Sequence, residues 1–439
     1  MADIIEPRVL KGFRDYLPDA ERARSSLVKR LEKTFQSFGF VPIDTPSLEY
    51  AEILLGKGGG ETDKQVYRFK DLGDRDVALR FDLTVPFARF MAEHVEELYL
   101  PFRRFHIAKV WRGENTQRGR YREFMQCDFD IVGTDSASAD ADIVLVIANA
   151  MKALDVGAIR IRINHRGLFN RFLAAAGCSD KSVAILRIVD KLEKIGEKET
   201  TSLLSAEVGA DLSSSILSFI KPEKNFQETL AKMFGFCAPE DTEARAAHDR
   251  LLDVYEIAQS AGCADFIELD PSITRGLDYY TGIVFETFLK EMPKIGSICS
   301  GGRYNELASL YTTKKLPGVG ASIGLDRLLA ALDALGRSSA GQRDPKVLVV
   351  NQGTAKTAEL HSIAAKLRNL GVSVEVYPEP KKLVAQYGYA EKKGIPYALL
   401  LDESSLSASR YPLRDLARRS TIDFSSFEEL VAFLGGAKE

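Results

Sequence analysis

Residues 102–132 constrain this chain more than any other segment. Two extended runs, 104–112 and 120–132, flank a polar loop at 113–119, the pattern of a long antiparallel hairpin. Side chains alternate along a strand, so Met125, Cys127, Phe129 and Ile131 go to one face of the second run and Gln126, Asp128 and Asp130 to the other. One face belongs to a core and the opposite face is polar. A lone exposed sheet face would read the same way. Arg112 changes that reading, because it ends the opposing run, can project over the same floor, and suits bidentate contact with carboxylate or phosphate. Gln126 and Asp130 lie roughly 13 Å apart at about 3.3 Å per residue, within reach of opposite ends of one small polar ligand. Residues 102–122 hold seven basic side chains (Arg103, Arg104, Lys109, Arg112, Arg118, Arg120, Arg122) against one acid, Glu114, which makes this the place best suited to phosphate.

Around the hairpin the pattern predicts an α+β protein. Residues 19–38 place Leu27, Leu31, Phe35 and Phe38 at helical spacing, with Gly39 as the stop. Residues 40–50 alternate but are broken by Pro42 and Pro46, which suits an edge or interface strand. A strand over 77–81 leads to a helix with Pro86 in its first turn. Residues 169–260 turn helical and read as an insertion within one domain. Strands over 283–288 and 318–322 follow, the second running into a helix with Leu325, Leu328, Leu329, Leu332 and Leu335 on one face. Short hairpins with appended helices imply a mostly antiparallel sheet over 1–335. Residues 336–344 (Gly-Arg-Ser-Ser-Ala-Gly-Gln-Arg-Asp) are the most linker-like stretch. Beyond them, strands at 347–351, 372–376 and 397–401 alternate with helices at 355–370 and 382–393, a small α/β domain over 345–439 with a parallel βαβαβ sheet.

Composition narrows the function classes. With 439 residues, 45% hydrophobic and 28% charged, the chain has enough apolar content for two to four cores and fits neither disorder, nor collagen, nor a membrane span. The cysteines (Cys127, Cys178, Cys237, Cys263, Cys299) are odd in number and scattered, and the histidines show no HxxH or HExxH spacing. Neither a disulfide framework, nor a dedicated metal site, nor a histidine-based triad is expected. The first seven residues lack the layout of a targeting segment, so the expected location is cytoplasmic. A net charge of −3 supplies no bulk attraction to nucleic acid. Gly56-Lys-Gly-Gly-Gly60 lacks the spacing of a phosphate loop and reads as a turn.

Three further clusters each read, alone, as ordinary structure. Arg275-Gly-Leu-Asp-Tyr-Tyr280 could be a surface charge beside strand aromatics, and Gly301-Gly-Arg-Tyr-Asn305 a hairpin turn. Gly318-Val-Gly-Ala-Ser-Ile-Gly-Leu-Asp-Arg327 puts glycines on a strand where another group can approach closely. Taken with the hairpin, they resemble the class II aminoacyl-tRNA synthetases and, among them, the histidyl-tRNA synthetase family, over nearly the whole chain. Residues 39–50 resemble the first class motif, which in the family lies at a dimer interface. Val110-Trp-Arg-Gly-Glu114 with 118–132 resembles the second, and 318–329 the third. Residues 275–280 and 301–304 resemble the two histidine-specific signatures, and 11–18 and 389–396 also fit.

The resemblance implies an ATP-dependent ligase. It would activate L-histidine to histidyl-adenylate, releasing pyrophosphate, and pass histidine to the 3′ end of tRNA(His), as a homodimer with no membrane association. Arg112 and Arg275 would be catalytic, holding the substrate carboxylate and the α-phosphate. ATP would meet Arg112, Glu114, Arg275 and Arg327, with Mg²⁺ on its phosphates. Asp82, Thr84 and Gln126 would hold the α-ammonium, and Asp130, Tyr279, Tyr280 and Tyr304 would surround the imidazole. The C-terminal domain would bind the anticodon. A non-catalytic relative that binds histidine, such as an ATP phosphoribosyltransferase regulatory subunit, is the competing reading; such relatives lose parts of the ATP-facing motifs, whereas Arg112, Arg275 and Arg327 are all present here.

Overall fold

The computed structural model describes residues 4–56, 65–273, 280–337 and 344–435, the side chains of 193 and 194 excepted. The chain divides into two compact units, Met1–Ser339 and Ala340–Glu439. The linker-like stretch 336–344 falls mostly on residues outside those described, as do Lys57–Gly60 of the glycine-rich turn.

The strands of the first unit, in chain order, are β1 (Val41–Pro42), β2 (Leu48–Tyr50), β3 (Arg68–Lys70), β4 (Asp76–Leu79), β5 (Phe102–Trp111), β6 (Glu123–Val132), β7 (Ile159–His165), β8 (Ile267–Leu269), β9 (Ile283–Leu289), β10 (Cys299–Arg303) and β11 (Gly318–Gly324). Eight form one sheet in the order β1-β5-β6-β11-β10-β9-β7-β8. Its pairings are antiparallel except at the two edges, where β1 runs parallel to β5 and β8 to β7. The hairpin of β5 and β6 is long and regular, from Phe102 opposite Val132 to Trp111 opposite Glu123.

Which face of this sheet is core follows from the alternation on β6. Cys127, Phe129 and Ile131 are wholly buried, and the helix Pro18–Ser37 lies against them through Leu27, Leu31 and Phe35. Phe35 sits 4.9 Å from Phe129 and 5.6 Å from Phe105, ring centre to ring centre. That helix stops where Gly39 takes φ +78°, a backbone state that side chains disfavour. The helix Ala137–Leu154 joins the same core through Ile143, Val144 and Ile147. With the apolar face covered, the polar face of β6 is left to the site.

Residues 40–50 do not form the single strand expected. They split into β1, on the edge of the large sheet, and β2, which joins β4 and β3 in a separate three-stranded sheet. Pro42 and Pro46 explain the break, since each removes a ladder donor and fixes φ. Between β7 and β8 the chain is helical, from Arg166–Ala175 to Thr242–Ser260, with no strand among the described residues. Phe169, Phe172, Phe219 and Phe236 form its aromatic centre, Phe172 stacking on Phe219 at 4.8 Å.

The second unit contains β12 (Val347–Val349), β13 (Val374–Val376), β14 (Tyr397–Leu399), β15 (Tyr411–Asp415) and β16 (Ser420–Phe424), ordered β13-β12-β14-β15-β16. The expected parallel βαβαβ core is present as the first three strands. The sheet as a whole is mixed, because β15 and β16 add an antiparallel hairpin. Sequence patterning missed it because β16 is five residues long and has only Ile422 and Phe424 as apolar positions between exposed Thr421 and Asp423, too short an alternation to stand out.

Candidate active site

Gln126, Asp128 and Asp130 stand side by side on the polar face of β6, all nearly inaccessible to solvent. Three polar groups in a row inside a protein need partners or a ligand. Asp130 has partners. One carboxylate oxygen accepts from the Tyr304 hydroxyl at 2.5 Å, and the other lies 2.7 Å from the guanidinium of Arg104, a fully buried arginine on β5 whose plane rests 4.1 Å from the Phe87 ring. Burial pushes the Asp130 carboxyl up from its usual range, against the opposing pull of Arg104 and Tyr304.

Space for these groups comes from glycines. A Cβ on Gly320 would fall on the Asp130 carboxylate, one on Gly318 on the Tyr304 ring, and one on Gly302 within 2.9 Å of the Tyr280 ring. The close approach expected for 318–327 thus has identified occupants. Gly301 and Gly302, expected in a hairpin turn, instead lie within strand β10, and a Cβ on Gly301 would collide with the backbone of Gly320 and Ala321. Glycine pairs mark close strand approach as well as turns, and the sequence alone does not distinguish the two.

At the other end of the same face lies a cavity of about 210 Å³ lined by Arg112, Glu114, Arg120, Phe124, Gln126, Ser322 and Arg327, among others. Arg112 donates from Nε to the Phe81 carbonyl at 2.8 Å and lies 5.2 Å from the Phe124 ring, with Glu114 3.9 Å away. Arg327, in the first turn of the helix Leu325–Ala334, is tethered by the Ser297 carbonyl. Burial draws its pKa down, and the like charges of Arg120 and Arg112 act in the same direction. Arginines crowded against their own charge at a cavity wall form a site that anions stabilise.

The hairpin's basic character divides accordingly. Arg103 pairs with Asp142, Arg104 with Asp130 and Lys109 with Glu123, so these three serve the fold and its floor. The basic residues lining the cavity come from the loop side, Arg112 and Arg120. Expecting the whole segment to face phosphate overcounted, because charge totals ignore which side chains find internal partners.

Asp82 is buried and accepts the Val85 N–H at 3.1 Å at the start of the helix Thr84–His94. Thr84 opens that helix and directs its hydroxyl at Asp128, 3.5 Å away. Asp82, Thr84, Gln126, Asp130, Tyr280 and Tyr304 thus belong to one neighbourhood, while Arg112, Glu114, Gln126 and Arg327 share the cavity. Arg275 and Tyr279 lie outside the described residues.

Sequence reading missed three groups. Arg104 counts in the sequence only toward the basic stretch suited to phosphate, and its burial against Asp130 has no local signature. Asp326 ties the N-terminal segment to the site by accepting from Arg14, Tyr16 and, at 2.6 Å, the Met125 N–H. Arg303, inside the Gly-Gly-Arg-Tyr run, points away into a buried network with Asp140, 2.7 Å away, which in turn meets Arg250 at 2.5 Å.

Comparison with known proteins bears on this arrangement. Residues 12–328 match the family model described as histidyl-tRNA synthetase, and 346–435 the model described as anticodon binding domain. A histidine–tRNA ligase of Treponema denticola is 50% identical over 411 residues, covering 92% of this chain and 91% of that one. The crystal structure of histidyl-tRNA synthetase from a Nostoc species superposes with a TM-score of 0.87 at 31% identity, covering 99% of this chain and 100% of that one. An ATP phosphoribosyltransferase regulatory subunit/histidyl-tRNA synthetase from Bacillus halodurans shares the fold, with a TM-score of 0.73 at 23% identity over 88% of this chain and 97% of that one. With both family models matched in order along the chain and half of its residues shared with a relative of equal span, the chain belongs to the histidyl-tRNA synthetase family.

Proposed function

We propose that the chain is a histidine–tRNA ligase that activates L-histidine with ATP and then esterifies tRNA(His). The observation that carries this reading is one sheet face with acceptor groups at one end and an arginine-walled cavity at the other. Free histidine has the matching polarity: an ammonium and an imidazole on one side, a carboxylate on the other. Asp82, Thr84 and Gln126 hold the ammonium, and Asp130, Tyr279, Tyr280 and Tyr304 enclose the imidazole. A pocket that hydrogen-bonds its substrate's polar atoms can reject analogues lacking them by roughly 10⁴- to 10⁵-fold, since the wrong ligand leaves buried groups unpaired.

In the first step a carboxylate oxygen of histidine attacks the α-phosphorus of ATP. A mixed anhydride forms, the bond to the bridging oxygen breaks, and pyrophosphate leaves with its electrons. Two anions must meet, and charge builds on the phosphoryl oxygens, so fixed cations lower the barrier. Arg112 serves both carboxylate and α-phosphate, Arg275 the α-phosphate, and Arg327 the adenine face and the γ-phosphate, with Glu114 at the ATP-binding wall. Among the described residues no cluster of three or more His, Cys, Asp or Glu is arranged for a metal. Mg²⁺ would enter with the nucleotide substrate and would shield its phosphate charge. In the second step a terminal ribose hydroxyl of tRNA attacks the adenylate carbonyl and AMP leaves. The basic loop after β5 serves the acceptor end, and the second unit the anticodon.

A homodimer formed around residues 39–50 fits the exposed apolar side chains of Leu48, Tyr50 and Phe69 on the three-stranded sheet. Among the described residues no helix is long and apolar enough to cross a membrane. Histidine-dependent ATP–pyrophosphate exchange tests the proposal. Robust exchange is expected; histidine binding without exchange would instead favour the regulatory-subunit reading. Arg275→Ala is expected to slow exchange by about 10²-fold or more, the scale for one preorganised charge contact.

A further inference from the structure

Asp128 stands between Gln126 and Asp130, and none of the roles above uses it. It is directly opposite Ser322 on β11 and His106 on β5. The Ser322 hydroxyl, on the strand position directly across from it, is placed to give its proton to this carboxylate, and the Thr84 hydroxyl lies 3.5 Å from Oδ2. Oδ1 is buried and has no hydrogen-bond partner among the described residues. A serine hydroxyl has one proton. With that proton given to Asp128, Ser322 can only accept from Gln126, and Gln126 Nε2 donates to Ser322 Oγ at 2.9 Å. The Gln126 amide is thereby fixed: its NH₂ is turned to Ser322, and its Oε1, also buried and without a partner among the described residues, is left as an acceptor beside the cavity. Thr84, donating to Asp128, likewise keeps only lone pairs for anything else.

From this chain of donors we infer that Asp128 is a positioning residue that sets the polarity of the ammonium-binding end, forcing Gln126 and Thr84 to present acceptors. An uncharged amide at 128 could donate to Ser322, reverse that hydroxyl, and let Gln126 turn its NH₂ toward a cationic ligand, which it would repel.

The inference rests on the reading of Gln126 and Thr84 as ammonium contacts, and the test separates the two. The probe is 3-(imidazol-4-yl)propanoate, which is histidine without its ammonium, used as an inhibitor of histidine-dependent exchange. In Asp128→Asn, an isosteric change, preference for histidine over this analogue is expected to fall about tenfold or more, the scale of a hydrogen bond to a charged group, while the KM for ATP stays within roughly twofold. Ser322→Ala, which removes the relay without touching the carboxylate, is expected to lose preference in the same direction and stands in should the first variant not fold. Undiminished preference in a folded Asp128→Asn or Ser322→Ala enzyme overturns the role of Asp128. Undiminished preference in Gln126→Ala removes the ammonium reading on which it stands.

Discussion

Single residues decide the chemistry of this site through the neighbours burial gives them. Burial pushes the Asp128 carboxyl up to about 7, with Asp130 and Asp82 adding to the shift and Arg104 and the Ser322 hydroxyl opposing it. Arg80 also faces it, and His106, opposite on β5, is held neutral by burial beside Arg104 and Arg80, its pKa drawn down to about 3. Because the folded-state pKa is raised, protonated Asp128 favours the free fold at low pH, and that contribution is lost as pH rises through about 7. A cationic ligand needs the ionised form. The advantage of the native enzyme over Asp128→Asn in histidine KM is therefore expected to grow from pH 6 to pH 8; the ligand's own titration cancels in that ratio, and a flat ratio would contradict the assignment. Gly320→Ala acts by volume: its Cβ would displace the Asp130 carboxylate. A higher histidine KM and a loss of about 1–3 kcal/mol in denaturant stability are expected, the range for overpacking.

At the scale of elements, the β5–β6 hairpin carries both the core and the floor. Arg104 and Asp130 form a buried pair across it, with side chains almost wholly shielded from water. Arg104→Met leaves a buried carboxylate without its cation and is expected to cost about 3–5 kcal/mol in urea unfolding, whereas Arg104→Met with Asp130→Leu should regain much of that stability while losing histidine binding. Behind the floor, Phe35 from the helix Pro18–Ser37 fills the space between Phe105 and Phe129. Phe35→Ala is expected to cost about 3–5 kcal/mol by calorimetry or denaturant, the range for a buried aromatic truncated in place. These elements were legible beforehand because they repeat: the helix shows its 3.6-residue spacing and the hairpin its alternation. Residues 40–50 and β15–β16 were not, since prolines interrupt the first and the alternation in the second runs over only a few residues.

The whole molecule keeps two sets of cores. Leu367, Leu399 and Leu430 pack within the second unit, while the site described above lies wholly in the first. Leu430→Ala is expected to destabilise the second unit by about 2–5 kcal/mol, and at temperatures where that unit melts, aminoacylation of tRNA should fall while histidine-dependent exchange persists. Joint loss of both activities would show that the first unit depends on the second.

The sequence by itself determined the alternating strand at 120–132, the polar face bearing Gln126, Asp128 and Asp130, the arginine at the hairpin's end, and the motif set that marks the family. These are properties of neighbours in the chain, and local periodicity records them. Tertiary structure alone decided that Arg104 is buried against Asp130, that Gly302, Gly318 and Gly320 make room for Tyr280, Tyr304 and Asp130, and that Ser322 lies opposite Asp128. Those pairings join residues as far as 194 positions apart, Asp128 and Ser322, through strand register and close packing, and neither leaves a local trace in composition or spacing.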